Sequence, residues 1–143
     1  MRRVAFAPAL LAFCLLGPGH VRAASVAVEV EGIEAGGLVF VALCQDGLTE
    51  AECRNGQQAA PRGPTQRFVF ADVVPGTYAA IAYQDTNGNG RLDRTGLGLP
   101  LEPYGFSGDA ARSARPDFAR ARFGVREPGA GVRVRLSRAL PRR

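Results

Sequence analysis

The feature that most constrains the fold is an alternation of apolar and less apolar residues with a period of two. Val26, Val28 and Val30 lie on one side of such a segment, which is the pattern of a half-buried β-strand. Pro75 and Gly76 form a turn signal between two later segments, and no stretch has the pattern of a long amphipathic helix. Strand character recurs at 38–44, 67–74, 77–84 and 131–136. These observations predict one all-β sandwich, Ig-like or transthyretin-like, with long loops.

The segments between these strands predict the loops. Residues 45–64 are polar, and residues 94–117 are rich in Gly, Pro and Ser without strand alternation. Phe118 and Ala121 are three residues apart after a proline, which allows one helical turn. In the last predicted strand, arginines alternate with apolar residues and would protect a sheet edge from unwanted pairing.

The N-terminus has the organisation of a secretory signal peptide. Two arginines precede an apolar stretch, and small residues lead to a predicted cleavage after Ala23. The apolar stretch is shorter than the roughly 20 residues that span a bilayer. The rival hypothesis is a lipoprotein anchored through Cys14, but Phe13 stands where a small residue would be expected. We expect a signal peptide at 1–23, a sandwich at 24–137, a disordered basic tail at 138–143, and a periplasmic or extracellular location without a transmembrane span.

The amino-acid composition argues against most catalytic chemistry. The only histidine, His20, lies in the predicted signal peptide. The exported chain would therefore lack His-based acid/base groups, Ser-His triads and His metal ligands. One enzymatic hypothesis remains, a hydrolase that pairs Asp85 or Asp93 with Glu102, and it depends on a carboxylate spacing that sequence does not define. We expect a protein that is not an enzyme.

Two cysteines remain after the predicted cleavage. Cys44 and Cys53 form a single pair in an exported chain, so we expect a disulfide bond between them. The alternative is a redox-active pair, but their spacer of eight residues differs from the two-residue spacer that tunes thiolate chemistry.

Charge is unevenly distributed along the chain. The whole sequence has 18 basic and 13 acidic residues, but three of the arginines lie in the predicted signal peptide, so nucleic acid is not an expected partner. The last third is strongly basic and could form an anion-binding face for an acidic envelope partner. The plainer interpretation is that these arginines offset the acidic first part of the sandwich. The arginines concerned are Arg112, Arg115, Arg120, Arg122, Arg126, Arg133, Arg135 and Arg138.

The most informative motif is an oxygen-rich run at the end of a predicted strand. Asp85, Asn87 and Asn89 stand at positions one, three and five, and Gly90 supplies the turn at position six. The main-chain carbonyl of Arg91 at seven and the side chain of Asp93 at nine complete the pattern of a Ca²⁺ loop.

Two features limit the affinity expected of this loop. Gly96 occupies position twelve, where a bidentate glutamate usually completes the shell, so we expect a dissociation constant of about 10⁻⁴ to 10⁻³ M. Glu102 or Asp109 could supply an additional oxygen if the following segment folds back. The alternative is a tight polar turn, since Asn-Gly pairs readily adopt left-handed backbone angles.

A second motif follows this oxygen-rich run at 85–93, which we name the ion loop. Tyr104, Phe106 and Ser107 could form the lip of a binding groove beside the loop. The plainer interpretation is that both aromatic side chains cover the end of the core. No histidine is available to activate Ser107 as a nucleophile.

These motifs together resemble one protein family. The run 83–93, the segments 98–102 and 104–109, and the Pro-Asp-Phe sequence at 116–118 are similar to the secreted bacterial family called domain of unknown function 2141. Pro103 departs from the glycine associated with that position in the family. The resemblance implies a small exported β-sandwich with an Asp-Asn-Asn-Asp loop, and it implies no established activity.

The sequence thus predicts an exported, non-enzymatic module with a weak Ca²⁺ loop and a structural or partner-binding role in the cell envelope. The expected partner is an envelope component or protein. The alternative is a metal-independent envelope- or carbohydrate-binding module that uses its aromatic loop or its Arg-rich C-terminal strands.

Overall fold

The computed structural model describes residues 23–108, 110 and 116–140. Its elements are β1 (Ala24–Glu31), β2 (Leu38–Cys44), β3 (Asn55–Ala59), β4 (Thr65–Val73), β5 (Gly76–Asp85), β6 (Tyr104–Phe106), α1 (Phe118–Ala121), β7 (Phe123–Val125) and β8 (Gly129–Arg135). The predicted all-β sandwich is confirmed, because nearly all regular structure is strand and two sheets pack together. The predicted signal peptide, with Cys14, lies outside the described residues.

The two sheets differ in size and pairing. One has the order β4-β1-β8, and the other has the order β3-β2-β5-β6, with β7 also pairing with β5. β1 pairs with β8 in parallel, with Val28 opposite Val132. The predicted edge position of the Arg-rich last strand is confirmed, since β8 pairs on one side with β1 and ends its sheet. The ion loop follows β5, which lies between β2 and β6.

The core lies between the sheets. Val26, Val28 and Val30 are fully buried, as their alternation predicts, and they belong to one cluster with Val39 and Val41 of the other sheet. A fully buried valine stabilises the fold by about 1.5 to 3 kcal/mol relative to an exposed one. The alternation on β1 and β2 is therefore what holds the two sheets face to face.

Three strands lie in segments where the sequence predicted none. β3 lies inside the expected loop 45–64, β6 lies inside 94–117, and β7 follows the helical turn. Each has one neighbour that was predicted: β3 pairs with β2, whereas β6 and β7 pair with β5. The predicted helical turn at Phe118 to Ala121 is present as α1, and Asp117 caps it by accepting a hydrogen bond from the Arg120 N–H (2.9 Å).

A disulfide closes the turn after β2. Cys44 and Cys53 are bonded with an S–S distance of 2.04 Å, which confirms the predicted pair. Within the closed segment, the Gln45 N–H donates to the Glu52 carbonyl (3.0 Å), and Glu52 Oε2 accepts from the Thr49 N–H (2.9 Å). The segment is therefore a compact turn rather than the beginning of an open loop.

Three described arginines of the basic last third are paired with acidic side chains, whereas Arg112 and Arg115 lie outside the described residues. Arg120 Nε lies 3.8 Å from Asp117. Arg133 Nε lies 3.2 Å from Glu29 and 2.8 Å from Glu31 on the adjacent strand β1. Arg138, which the sequence assigned to a disordered tail, lies 2.7 Å from Glu34 and is held there. These pairs agree with the interpretation that arginines offset acidic residues across the sandwich, and residues 141–143 lie outside the described part of the chain.

Over the described residues, the structure contains no helix with the length and apolar character needed to cross a membrane.

Candidate ion-binding loop and adjacent groove

The ion loop, residues 85–93, begins where a buried glutamine fixes the end of β5. Gln84 is fully buried, and its Nε2 donates to the carbonyls of Glu34 (2.8 Å) and Gly36 (2.7 Å). Its Oε1 accepts from the Glu34 N–H (2.9 Å). The side chain thereby satisfies main-chain groups of the β1–β2 connection, and it holds that connection against the start of the ion loop.

A glycine before β2 permits this close approach. Gly37 has φ of 71°, and a Cβ on it would lie 2.1 Å from the Asp85 carbonyl oxygen. Real Cβ atoms do not approach main-chain oxygens so closely, and the left-handed angle also favours glycine. A side chain at this position would therefore displace the first residue of the ion loop.

Asp85 organises the first half of the ion loop. Its side chain is fully buried, and Oδ1 accepts from the N–H groups of Gly88 (2.7 Å) and Asn89 (3.2 Å). Oδ2 accepts from the Gly90 N–H (2.7 Å). Gly90 has φ of 81°, as expected for the predicted turn glycine. A carboxylate offers about four lone-pair positions, so about one remains for a further donor or an ion.

The side chains of the second half converge on Asp93. Its Oδ2 accepts from Asn87 Nδ2 (2.6 Å) and from Asn89 Nδ2 (2.7 Å). Arg91 Nε lies 3.3 Å from Oδ1 of the same carboxylate. The bond from Asn87, followed by those from Asn89 and Arg91, holds the pKa of Asp93 below its usual range. Asp93 is therefore ionised at neutral pH at the point where three predicted ligand side chains meet.

The amide oxygens of the loop point away from this carboxylate. Asn87 Oδ1 accepts from the Asn89 N–H (3.1 Å), and Asn89 Oδ1 accepts from the Arg91 N–H (3.1 Å). Throughout the described residues, no buried side-chain nitrogen or oxygen lacks a partner, and no three His, Cys, Asp or Glu side chains group to hold a metal. An ion in this loop would therefore depend on the asparagine and main-chain oxygens as well as on the carboxylates.

Glu102 connects the beginning and the end of the ion loop. The side chain is buried, with 3% of its surface exposed, and Oε1 accepts from Thr86 N–H (2.7 Å) and Oγ1 (3.2 Å). Oε2 accepts from the Asp93 N–H (3.2 Å). The Glu102 side chain thus joins the two ends of the ion loop by binding the main-chain N–H groups of Thr86 and Asp93. The role considered from the sequence was instead that of an additional ion ligand. Asp109, the other additional ligand considered, lies outside the described residues.

A groove of about 550 Å³ lies on the outer face of the larger sheet, beside the ion loop. Phe40 and Tyr83 are cross-strand neighbours there, and their rings are stacked with centroids 4.8 Å apart and planes 3° apart. Burial raises the pKa of the Tyr83 phenol, as do the nearby carboxylates of Asp85, Glu102 and Glu50. The hydroxyl therefore remains a donor at neutral pH. The lining also includes Ala42, Leu48, Gln58, Ile81, Arg91, Leu92 and Arg94.

The relationship of this chain to known proteins rests on one match. A family model described as an uncharacterized protein conserved in bacteria, DUF2141, matches residues 28–132. The chain belongs to this family. The matched region of the DUF2141 domain extends from β1 into β8 and includes the whole ion loop and the groove. No curated protein and no solved structure matches the chain significantly.

The two aromatic residues of the segment 104–107 in this DUF2141 domain are each partly exposed. Tyr104 and Phe106 are half-buried on β6, with ring centroids 5.9 Å apart at a near right angle. Phe106 packs against the smaller apolar cluster around Cys44 and Ala79. This contact favours the interpretation of Phe106 as cover for the core, and the Tyr104 ring lies edge-to-face with the Phe106 ring.

Ser107 is not at a groove lip. The side chain is fully buried, and its Oγ accepts from the Ala80 N–H (2.8 Å) and donates to the Ala121 carbonyl. The hydroxyl thereby joins β5 to α1. It is unavailable to a ligand because the side chain is buried and both of these hydrogen bonds are to main-chain groups.

Sequence reasoning missed several residues that shape this site of the DUF2141 domain. Gln84 and Thr86 flank the first predicted ligand, and each makes side-chain contacts with a distant segment. The only signal for Gln84 was a polar residue at an inward position of an apolar strand. Phe40 and Tyr83 gave no signal of the groove, because their contact depends on the register between β2 and β5.

Proposed function

We propose that the protein is an exported, non-enzymatic β-sandwich module whose ion loop binds Ca²⁺ weakly. The bound loop would have a structural or partner-binding role in the cell envelope. Asp85, Asn87, Asn89 and Asp93 would provide side-chain oxygens, and Arg91 would provide a main-chain carbonyl. The proposal concerns this loop because Ca²⁺ prefers six to eight oxygen ligands, including carboxylates and amide carbonyls.

The observation that carries the proposal is the convergence on Asp93. The side-chain amides of Asn87 and Asn89 donate to one oxygen of the Asp93 carboxylate, at 2.6 and 2.7 Å. Both amide groups therefore already lie next to a negatively charged side chain. A half-turn of each amide group about its last side-chain torsion would exchange nitrogen for oxygen there. The exchange would break the hydrogen bonds that these oxygens accept from the main chain, which is a physical reason to expect weak affinity.

The contacts of the other polar groups support a role other than catalysis. Ser107 is buried with its hydroxyl engaged on both sides. The side-chain oxygens of Asp85 and Glu102 accept hydrogen bonds from main-chain N–H groups, which is a structural use of these side chains. A general acid or nucleophile would instead need a reacting atom within hydrogen-bond reach.

We expect about 10 mM Ca²⁺ to raise the melting temperature by several degrees over a chelator control. Ten times the dissociation constant adds about 1.4 kcal/mol to folding stability if only the folded state binds, and this suffices for such a shift in a small domain. Replacing Asp93 with asparagine should abolish the shift, because the loop loses the charge at its point of convergence. Differential scanning calorimetry and calcium titration calorimetry would measure both effects.

The matched control is Asp46→Asn, which removes one exposed aspartate charge outside the ion loop. Asp46 has φ of 64°, an angle that asparagine tolerates. This variant should keep the full Ca²⁺ response. A response of equal size in Asp93→Asn, or no response in the parent protein, would assign residues 85–93 to a hydrogen-bonded turn.

The groove supports a second candidate function, a metal-independent carbohydrate-binding module. Its volume of about 550 Å³ lies in the usual range of ligand sites, about 300 to 1,000 Å³. Its apolar lining and the stacked rings of Phe40 and Tyr83 suit the apolar faces of sugar rings. At the rim, the Gln58 amide would donate hydrogen bonds to sugar hydroxyls or accept them, and the Glu50 carboxylate would accept them.

Titration with soluble N-acetylglucosamine oligomers in chelator would test this second function. Replacing Tyr83 with serine should weaken binding about tenfold or more, the effect of losing one well-packed aromatic contact. The control is Val69→Ser, which changes a half-exposed residue on the other sheet. If calorimetry detects no heat of binding, or the same heat for the parent and for Tyr83→Ser, these oligomers are not ligands of the groove.

A further inference from the structure

A segment next to the ion loop displays leucines to solvent. Leu97, Leu99 and Leu101 have 91%, 44% and 46% of their surfaces exposed. These three make up half of the exposed large apolar side chains in the described part of the chain, and they occupy alternate positions within five residues. Singly exposed apolar residues are common, whereas a local concentration of them marks an interaction surface. We name residues 94–101 the leucine loop.

The leucine loop has a defined main-chain conformation. The Thr95 N–H donates to the Leu99 carbonyl (2.8 Å), and the Gly98 N–H donates to the Thr95 carbonyl (2.9 Å). Arg94 Nη1 donates to the Gly98 carbonyl (3.0 Å). These bonds close a small hairpin that holds its apolar side chains outward. Keeping apolar surface in water is unfavourable, and a partner that covered the leucines would remove this cost.

Two exposed arginines border this surface. Arg91 has 79% of its side chain exposed, and its ion pair with Asp93 is a single exposed contact of modest strength. Arg94 is exposed, and its bond to Gly98 is to a neutral carbonyl. Arg138 also reaches the loop, through the Leu101 carbonyl (2.9 Å), but its charge is paired with Glu34. Because Asp93 offsets part of the charge of Arg91, Arg94 is the described guanidinium beside the leucines that is bonded only to a neutral group.

We propose that the leucine loop is a contact site for the surface of an anionic phospholipid bilayer. Leu97 would enter the boundary between headgroups and acyl chains, with Leu99 and Leu101 at its margin. The guanidinium groups of Arg91 and Arg94 would meet lipid phosphates. Leucines beside arginines are the composition of interfacial membrane anchors, and each basic residue near an anionic leaflet adds a favourable electrostatic contribution.

The shape and charge of the surface favour lipid over a second copy of this chain. Leu97 lies in the turn of the hairpin with 91% of its surface exposed, so its side chain can enter a soft partner such as a bilayer. A copy approaching through the same loop would bring its own arginines against Arg91 and Arg94, and like charges repel. The proposal does not depend on Ca²⁺ binding, because the leucines and arginines are displayed by hydrogen bonds that need no ion.

Vesicle co-sedimentation would test the proposal with a chain starting at Ala24, which keeps every strand of the sandwich. The probes are vesicles of phosphatidylcholine alone and of phosphatidylcholine with an equal amount of phosphatidylglycerol, each in calcium and in chelator. We expect binding to the anionic vesicles, lowered about tenfold by Leu97→Ser, which removes most of one buried leucine's contribution. Arg94→Gln should also weaken binding and reduce its dependence on salt.

The matched control is Val74→Ser, which changes a residue with 62% of its surface exposed. Val74 precedes the start of β5, whereas the leucine loop lies beyond its end, so the control should bind like the parent. Circular dichroism would confirm that the variants fold. Absence of binding to anionic vesicles, or equal binding by Leu97→Ser, overturns the proposal. It is also overturned if Leu97→Ser instead abolishes a concentration-dependent dimer seen by analytical ultracentrifugation.

Discussion

Replacing Glu102 with alanine should lower the free energy of unfolding by about 2 to 3 kcal/mol. The carboxylate is buried and accepts hydrogen bonds from the N–H groups of Thr86 and Asp93. Its removal leaves these donors without their acceptor and creates a small cavity, and each effect is destabilising. Urea denaturation would measure the loss, and the melting temperature should fall by about 10 °C.

Two further variants separate the hydrogen bonds of Glu102 from other effects. Glu102→Gln keeps the shape but only one acceptor oxygen, so it should have an intermediate stability. Glu50→Ala removes an exposed carboxylate near the groove and should change stability by no more than about 0.5 kcal/mol. If Glu102→Ala unfolds at the parent's midpoint, the two ends of the ion loop do not need this carboxylate.

Reducing the disulfide should cost the sandwich about 2 to 3 kcal/mol of stability. The bond joins residues separated by nine positions, and closing a loop of this length restricts the unfolded chain by that amount. Comparing the oxidised and reduced forms of one protein avoids the cavity that a substitution of fully buried Cys44 would create. Urea denaturation with and without reductant would give the difference.

A control for this comparison is the Cys44→Ala and Cys53→Ala double variant, which should not respond to reductant. Coincident unfolding curves for the oxidised and reduced parent would contradict the prediction. Leu48 and Cys53 line the groove. Reduction should therefore also lower the affinity of the groove for any ligand. Adding reductant should not change this affinity in the double variant.

Local pattern was sufficient for the strands that supply the core. Val26, Val28 and Val30 alternate because one face of β1 is buried, and that burial leaves a direct record in the sequence. The polar strand β3 and the three-residue strands β6 and β7 left no such record. They are strands because a neighbouring strand supplies their hydrogen-bond partners, and the apolar pattern of these short segments carries no information about that neighbour.

The same distinction applies to the candidate site. The spacing of Asp85, Asn87, Asn89 and Asp93 predicted one polar loop, and the structure brings these residues into one network. The direction of each side chain was beyond the sequence, since Asp85 binds main-chain N–H groups while the asparagines turn toward Asp93. Glu102 was selected for its oxygens, but whether they face an ion or the main chain depends on how residues 94–101 return to β5.

Asp93 belongs to both of the proposed binding surfaces. Its side chain accepts from Asn87 and Asn89 in the ion loop, and its carbonyl accepts from the Leu101 N–H at the end of the leucine loop (2.8 Å). Asp93 is thus hydrogen-bonded to residues of both loops, so a displacement of Asp93 would disturb both. Any ligand that shifts Asp93 from one side changes the affinity on the other side, and thermodynamic reciprocity makes the factor the same in both directions.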